Sequence, residues 1–322
     1  MKLLIDVFGS DHPMELIAGC ARCSLEVPEA TLVLPGQEEI LRPALEALPH
    51  DPSRIELMPT ATVITNHDNP IEAVMAKRDS SLVAGIKRLR TDPEIGAMLT
   101  AGSTGAAFVA GITFVGRLPG VHTPALSSFL PSEKNYDICL ADCGANVDCK
   151  PDRLGEFALL GTALMRSYGI ENPRVGLLSV GIEEGKGSHF VQEAYACLEK
   201  LPINFAGNME ARDALSGEYD VIVCDGFSGN VLLKTVEGTG LFAGSRLRKS
   251  EDPAVWTAAQ ELTQELDFSL RGASVILGLR KPIFKAHGSA TERTIPNAVR
   301  RMLRFLEADY PAHWAEVMQR GS

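Results

Sequence analysis

A lysine between two glycines follows two acidic residues in the stretch VGLLSVGIEEGKGS, residues 175–188. The apolar, β-branched start of this stretch predicts a strand, and the glycines that follow allow a backbone to approach another group closely. Lys186 is then either a point charge for an anion or one half of a local ion pair with Glu183 or Glu184. The residue types alone support these two interpretations equally.

Other apolar runs of strand length also end in small and polar residues. Because ligands of open parallel sheets bind beyond the carboxyl ends of the strands, we expect these loops to share one edge. Glycine-rich turns that open a helix suit phosphate, although Gly, Ser, Asp and Asn are also common as plain turns and caps. The candidate phosphate- or substrate-binding residues in these loops are Gly102, Ser103, Thr104, Gly105, Asn146, Asp148, Gly185, Gly229 and His287.

One reaction fits these loops without a covalent catalyst, because phosphate itself would be the nucleophile. The site must then hold phosphate, polarise a carbonyl group and stabilise the oxyanion that forms. Lys186 would supply charge, and Asn230 together with loop N–H groups would donate to the oxyanion. His287 is either a proton carrier or a structural donor.

Several common motifs are missing from the sequence. GIEEGKG is one residue too short for a P-loop and has Gly187 where Ser or Thr is required. No G-x-G-x-x-G follows the first strand, and no G-x-S-x-G is present. Cys20 and Cys23 form a C-x-x-C that no second pair completes, so we expect buried thiols rather than a metal site. Neither a cofactor nor a metal is predicted.

The composition is that of a globular α/β protein. The 322 residues carry a formal net charge of −10, which disfavours nucleic acid as a partner. The N-terminal run MKLLIDVFG is too short for a secretory signal, so we expect a cytoplasmic protein. Apolar strand-length runs alternate with helix-period stretches, which predicts parallel βαβ units in one catalytic unit over residues 1–322. The uncharged run 95–116 is interpreted as a buried strand, a glycine turn and a buried helix, not as a membrane span.

Long ordered stretches resemble the PlsX family of phosphate acyltransferases, which make acyl-phosphate from acyl–acyl-carrier-protein for phospholipid synthesis. The resemblance implies a three-layer Rossmann-like α/β/α fold with a mainly parallel sheet, similar to phosphotransacetylases and isocitrate dehydrogenases. It also implies a homodimer, with acyl carrier protein and inorganic phosphate as partners. The stretches that carry it are HDNPIEAVMAKRDSSLV (67–83), GRLPG (116–120), DCGANVDCKPDRL (142–154), ENPRVGLLSVGIEEGKGS (171–188), NFAGNMEARD (204–213), VCDGFSGNVLLKTVEG (223–238) and KAHGSA (285–290).

Lys186 and Asn230 match positions in the two most distinctive motifs of the family, which implies that they contact phosphate or the thioester carbonyl. Ser103 stands where the family typically has Asn, and the first loop reads DVFGSDHP where the family typically has Asp-Ala-Met-Gly-Gly-Asp-His-Ala-Pro. Residues 239–272 look short for the amphipathic helices with which the family docks to membranes and carrier protein. Their basic cluster, Arg246, Arg248 and Lys249, would suit an acidic carrier, and the resemblance also implies peripheral contact with the inner face of the membrane.

Three alternatives to a carrier-protein acyltransferase stay open at this point. The first is a phosphotransacylase that uses short-chain acyl-CoA. The second is a diverged, inactive homologue that acts as a scaffold, which the altered first loop and the short segment 239–272 would explain. The third, a nicotinamide-dependent dehydrogenase, is disfavoured because the usual dinucleotide fingerprint is missing.

Overall fold

The computed structural model describes residues 1–267, 272–288 and 290–320. The strands are β1 Lys2–Asp6, β2 Thr31–Gly36, β3 Ile55–Pro59, β4 Ile95–Thr100, β5 Ala125–Pro131, β6 Asp137–Ala141, β7 Arg174–Ser179, β8 Asn204–Glu210, β9 Val221–Val223, β10 Ser274–Leu277 and β11 Ile283–Lys285. The helices are α1 Pro13–Glu26, α2 Glu38–Glu46, α3 Pro70–Ala76, α4 Ser81–Thr91, α5 Thr104–Ala110, α6 Pro151–Ser167, α7 His189–Leu198, α8 Gly226–Leu247, α9 Pro253–Leu266, α10 Thr294–Glu307 and α11 Tyr310–Arg320.

The chain divides into two compact units. Unit 1 contains residues 1–118 and the described residues from 272 to 307, and unit 2 contains residues 119–267 and 308–320. The prediction that residues 1–322 act as one catalytic unit stays a prediction.

In unit 1 the strand order is β3-β2-β1-β4-β11-β10. All neighbouring pairs are parallel except β10 and β11. The last residues of three adjacent parallel strands are in register, because Asp6 pairs with Thr100 and Thr100 with Lys285. Apolar side chains of these strands, such as Leu4 and Met98, are fully buried, as expected for a sheet that is covered by helices.

In unit 2 the strand order is β5-β6-β9-β7-β8, and only β5 runs antiparallel to its neighbour. The predicted α/β class with a mainly parallel sheet is confirmed. Sequence analysis did not find β5 or β11. The run ALSSFLP contains two serines and a proline, which hide the apolar pattern of β5. Inside the sheet the Ser127 hydroxyl is paired with the Cys139 thiol at 3.1 Å, so its burial leaves no unsatisfied group.

Capping residues explain why the helix-period stretch 70–90 forms two helices. The Asn69 side chain accepts hydrogen bonds from the N–H groups of Ile71 and Glu72, and α3 ends at Ala76. The Ser80 hydroxyl then accepts from the N–H of Val83 and starts α4. Each cap satisfies donors that the first turn of a helix cannot pair internally.

The uncharged run 95–116 forms β4, a turn and α5, followed by one π-helical turn, Gly111–Val115. The strand and its burial are confirmed, whereas the helical part is only half-buried, with Gly105 and Thr113 exposed. Among the helices of the described residues, none combines the length and the apolar character that crossing a membrane requires.

Candidate active site

Three parallel strands of unit 2 end side by side and carry the loops that the sequence singled out. Ala141 at the end of β6 is in register with Val223 of β9, and Val223 with Leu177 of β7. The loop 142–150 follows β6, helix α8 follows β9, and the loop 180–188 follows β7. Because neighbouring strands are about 4.8 Å apart, these three segments lie next to one another at one sheet edge.

A buried carboxylate organises the first of these loops. Asp142 is fully buried, and its two oxygens accept five hydrogen bonds of 2.5–3.2 Å. Burial raises the pKa of Asp142, while the hydrogen bonds from the loop act in the opposite direction. Asp142 therefore holds the loop in one shape. The donors are the N–H groups of Leu126, Gly144, Ala145 and Asn146 and the Asn146 side chain.

Helix α8 begins directly against this loop. The N–H of Gly226 donates to the C=O of Asn146 at 2.9 Å. One turn further on, Gly229 lies so close to the Asp142 carbonyl that a Cβ atom at position 229 would be only 1.9 Å from its oxygen. No other residue type fits at that distance without a shift of the helix. The opposite side of this turn is exposed and carries Asn230.

The side chain of Asn230 is exposed and makes no hydrogen bond to any residue that the structure describes. It faces Gly144 of the loop 142–150, since its Oδ1 lies 3.9 Å from the position of a Cβ atom at residue 144. The amide N–H₂ is therefore available to a ligand at the sheet edge.

Lys186 lies in a tight turn of the loop 180–188. Its N–H donates to the C=O of Glu183 at 3.0 Å, and its aliphatic chain passes over Gly181. The ammonium group is exposed and forms no ion pair with the described residues. The local ion pair with Glu183 or Glu184, one of the two interpretations of the sequence, is therefore not formed. An exposed, unneutralised ammonium group favours the role of an anion ligand.

Two amide side chains fix the position of this turn. Asn208, which is buried at the end of β8, donates through Nδ2 to the C=O of Glu183 at 2.8 Å. Gln192 of α7 donates to the carbonyls of Gly185 and Gly187 at 3.0 and 3.1 Å. The apolar run of this strand ends before Asn208, yet β8 extends to Glu210 and includes it.

Unit 1 has a polar group of its own at the ends of β1, β4 and β11. The buried Asp6 carboxylate accepts from the Thr100 hydroxyl at 2.9 Å and from the N–H of Phe8 at 3.3 Å. Burial raises the pKa of Asp6 to about 6, although hydrogen bonds and the charge of Lys285 lower it in part. Lys285 is also buried, and its ammonium group donates to the carbonyls of Ala101 and Ala286.

The glycine-rich turn of unit 1 stands beside this group. The N–H of Gly102 donates to the Thr100 hydroxyl at 3.1 Å, and the buried Ser103 caps α5 by accepting from the N–H of Ala106 at 3.4 Å. Thr104 is half-buried and Gly105 is exposed. The imidazole of His287, which follows β11, is exposed.

The cysteines are all free thiols, and five of the seven are buried. Burial raises the pKa of Cys139 to about 12 and that of Cys149 to about 11. Thiols in such surroundings are poor nucleophiles at neutral pH. The prediction of buried small side chains is confirmed for Cys20 and Cys23.

Comparison with known proteins decides the family. Residues 1–313 match the family model described as Fatty acid synthesis protein. The phosphate acyltransferase of Brevibacillus brevis is 38% identical over 321 residues, which cover 96% of this chain and 95% of the relative. The phosphate acyltransferase of Bacillus cereus is 38% identical over 333 aligned positions, which cover 100% of this chain and 99% of the relative. The chain belongs to the PlsX family of phosphate acyltransferases.

The PlsX-family chain also has the fold of a phosphotransacetylase. The structure of a phosphotransacetylase from Streptococcus pyogenes aligns with a TM-score of 0.64 over 95% of this chain and 94% of that one. The two sequences are 15% identical, so the comparison concerns the fold alone. The predicted likeness to phosphotransacetylases is confirmed.

The structure groups most of the predicted site residues of this PlsX-family chain within unit 2. Asn230 and Lys186 present free polar groups at the sheet edge, and Asp148 is exposed in the loop 142–150. Asn146 has a supporting position, because its Nδ2 donates to Asp142 and to the C=O of Pro124. The remaining candidates are Gly185 and Gly229 in unit 2, and Gly102, Ser103, Thr104, Gly105 and His287 in unit 1.

Sequence analysis did not assign a role to Asp142 or Lys285. An acid at the end of an apolar strand, directly before a glycine turn, was the available signal for Asp142. Lys285 stands at the end of a three-residue strand that the sequence did not reveal, so its register with Thr100 was not predictable.

Proposed function

We propose that this chain transfers a long-chain acyl group from acyl carrier protein to inorganic phosphate and so makes acyl-phosphate for phospholipid synthesis. Membership of the PlsX family supports acyl transfer to phosphate. The observation that carries the proposal is the exposed ammonium group of Lys186, which has no ion-pair partner in the described structure and lies at the same sheet edge as Asn230.

In the proposed reaction a phosphate oxygen attacks the thioester carbonyl. The new C–O bond forms as the C–S bond breaks, and the carrier leaves as a thiolate. The thiolate takes up a proton while hydrogen phosphate loses one, so the reaction balances without an external acid. Lys186 neutralises the phosphate, and the Asn230 amide donates to the oxyanion that develops on the carbonyl oxygen. The unit 1 candidates, Gly102 to Gly105 and His287, stay predicted substrate contacts.

The partners belong to the same proposal. Arg246, Arg248 and Lys249 follow one another at the end of α8, where an acidic carrier protein would meet them. Nearby on α8 and α9, Phe242 and Trp256 are exposed, which would suit peripheral contact with a membrane. Assembly as a homodimer is the expectation that the family resemblance supplies.

The test is to incubate the protein with palmitoyl-acyl carrier protein, with and without phosphate, and to follow free carrier thiol and acyl-phosphate together. We expect equal amounts of both products, and only when phosphate is present. Butyryl-CoA at the same concentration serves as the comparison donor. If only butyryl-CoA is turned over, the acyl donor is a short-chain acyl-CoA and not acyl carrier protein. No turnover of either thioester would contradict the proposed function and favour the scaffold.

A further inference from the structure

Five large apolar side chains are exposed at the sheet edge that carries Lys186 and Asn230. Their exposed fractions lie between 48% and 78%. Scattered exposed apolar residues are ordinary, but a group around one polar centre indicates a binding surface. We call this group the apolar rim. Its members are Val147, Val180, Ile182, Phe227 and Val231.

Two members lie on the exposed side of α8 together with Asn230. Phe227, Asn230 and Val231 have the spacing i, i+3 and i+4, which places them on one side of the helix. Gly229 and Leu232 point the other way and are buried. Asn230 lies between the apolar Phe227 and Val231 on this side, and the next residue of the same face is Lys234, which pairs with Glu237 at 2.7 Å.

Two further members flank Gly181, over which the side chain of Lys186 lies. Val180 and Ile182 stand on either side of Gly181, and a Cβ atom at position 181 would lie 3.1 Å from Lys186 Cγ. The aliphatic chain of Lys186 therefore passes between the backbone positions of two exposed apolar residues. A carboxylate oxygen of Glu183 lies equally close to this position, at 3.1 Å, so the stem of Lys186 shares this part of the rim with a polar group.

The backbone joins the two halves of the rim. Val147 follows Asn146, and Phe227 follows Gly226, so both side chains flank the 2.9 Å hydrogen bond from the N–H of Gly226 to the C=O of Asn146. On the other side, Leu177 and Val223 are in register, and the loop 180–188 and α8 each start three residues beyond this pair. The rim is thus continuous along three neighbouring strand ends.

We propose that the apolar rim binds the hydrocarbon of the acyl chain, from the methylene groups next to the attacked carbonyl carbon outward. This inference rests on the proposed function and adds the place where the hydrocarbon lies. Because the ammonium group of Lys186 lies at the same sheet edge, an occupant that brings an anion together with hydrocarbon suits the rim best. An acyl thioester that reacts with phosphate brings hydrocarbon to the rim and an anion to Lys186 at the same time.

The test uses unreactive alkyl phosphates, which carry the anion and a hydrocarbon but no thioester. Dodecyl phosphate and butyl phosphate are titrated into the protein by calorimetry below the micelle concentration. We expect dodecyl phosphate to bind at least about tenfold more tightly than butyl phosphate. In Ile182→Ser and Val231→Ser this preference should fall about threefold each, and in the double variant about tenfold. Leu25→Ser, at an equally exposed site on α1, should keep the preference of the wild type.

The outcomes separate the inference from the proposed function. Equal binding of the two alkyl phosphates by the wild type, or an unchanged preference in the double variant, would overturn the apolar rim whatever the turnover assay shows. A dimer that dissociates in the double variant, with its preference intact, would assign the rim to contact between copies and would also overturn the inference. If the preference for dodecyl phosphate falls as expected in the variants but the wild type shows no acyltransferase activity, the rim is a hydrocarbon-binding surface and the proposed function is wrong.

Discussion

The side chain of Lys186 lies across Gly181, so that a Cβ atom at position 181 would come within 3.1 Å of Lys186 Cγ. A larger side chain at this position would push the ammonium group away from its present place. We expect Gly181→Val to lower kcat at least about tenfold, because displacement of a catalytic group by about 1 Å is costly. The free energy of unfolding should change little, since Lys186 is exposed.

The control for this prediction is Gly238→Val in α8, where a Cβ atom would meet nothing within 4 Å. Steady-state kinetics and urea unfolding of both variants are the measurements. Wild-type kcat in Gly181→Val would show that the position of Lys186 does not limit the reaction.

Gly229 sets the position of Asn230. A Cβ atom at residue 229 would be 1.9 Å from the Asp142 carbonyl oxygen and 2.9 Å from Cys224 Sγ. Gly229→Ala must therefore shift the first turn of α8, and we expect a loss of about 1–3 kcal/mol in the free energy of unfolding together with a lower kcat. Gly238→Ala on the same helix should be at least as stable as the wild type. A Gly229→Ala variant with unchanged stability and kcat would contradict the packing described for α8.

Asp142 holds the loop that supports α8. Asp142→Ala removes an acceptor from the N–H groups of Leu126, Gly144 and Ala145 and leaves them without that partner. A buried, unpaired donor costs about 1–3 kcal/mol, and since only the N–H of Leu126 is fully buried, we expect a loss of about 1–3 kcal/mol. Urea unfolding measures it, with Asp148→Ala in the same loop as the exposed control. Equal stability of the two variants would show that the loop holds its shape without the buried carboxylate.

Asp6 predicts a dependence of stability on pH in one direction. Its pKa in the folded protein is raised from 3.8 to about 6, so the folded protein holds this proton more tightly than the unfolded chain. The stabilisation of the folded protein by this proton is fully present below the pKa of Asp6 in the unfolded chain. It is lost as the pH rises through the pKa of Asp6 in the folded protein. The expected loss is up to about 3 kcal/mol between pH 4 and 6.

The matched variant is Asp6→Asn, which keeps the shape of the side chain but cannot ionise. Urea unfolding at a series of pH values gives the free energy of unfolding of both proteins. Between pH 4 and 6 the wild type should lose stability relative to Asp6→Asn, so that the variant gains on the wild type as the pH rises. A constant difference across this range would mean that Asp6 titrates normally in the folded protein.

The positions of the site loops at the ends of strands could be predicted from the sequence. The hydrogen bonds that hold these loops could not. Apolar runs that end in Gly, Asn and Lys predicted which loops gather at a sheet edge, because parallel strands present their carboxyl ends together. The role of Asp142 depends on Leu126 in β5, a strand whose serines and proline hid its pattern. Whether Lys186 pairs with Glu183 depends on side-chain directions within one turn, which residue types do not determine.

In the proposed function, Lys186 acts in phosphate-dependent acyl transfer. The most direct measurement is the rate of acyl-phosphate formation from palmitoyl-acyl carrier protein and phosphate by the wild type, Lys186→Ala and, as the exposed-lysine control, Lys200→Ala. We expect Lys186→Ala to lower kcat about 100- to 1,000-fold, with unchanged thermal stability, and Lys200→Ala to match the wild type. A Lys186→Ala variant that forms acyl-phosphate at the wild-type rate would contradict the account.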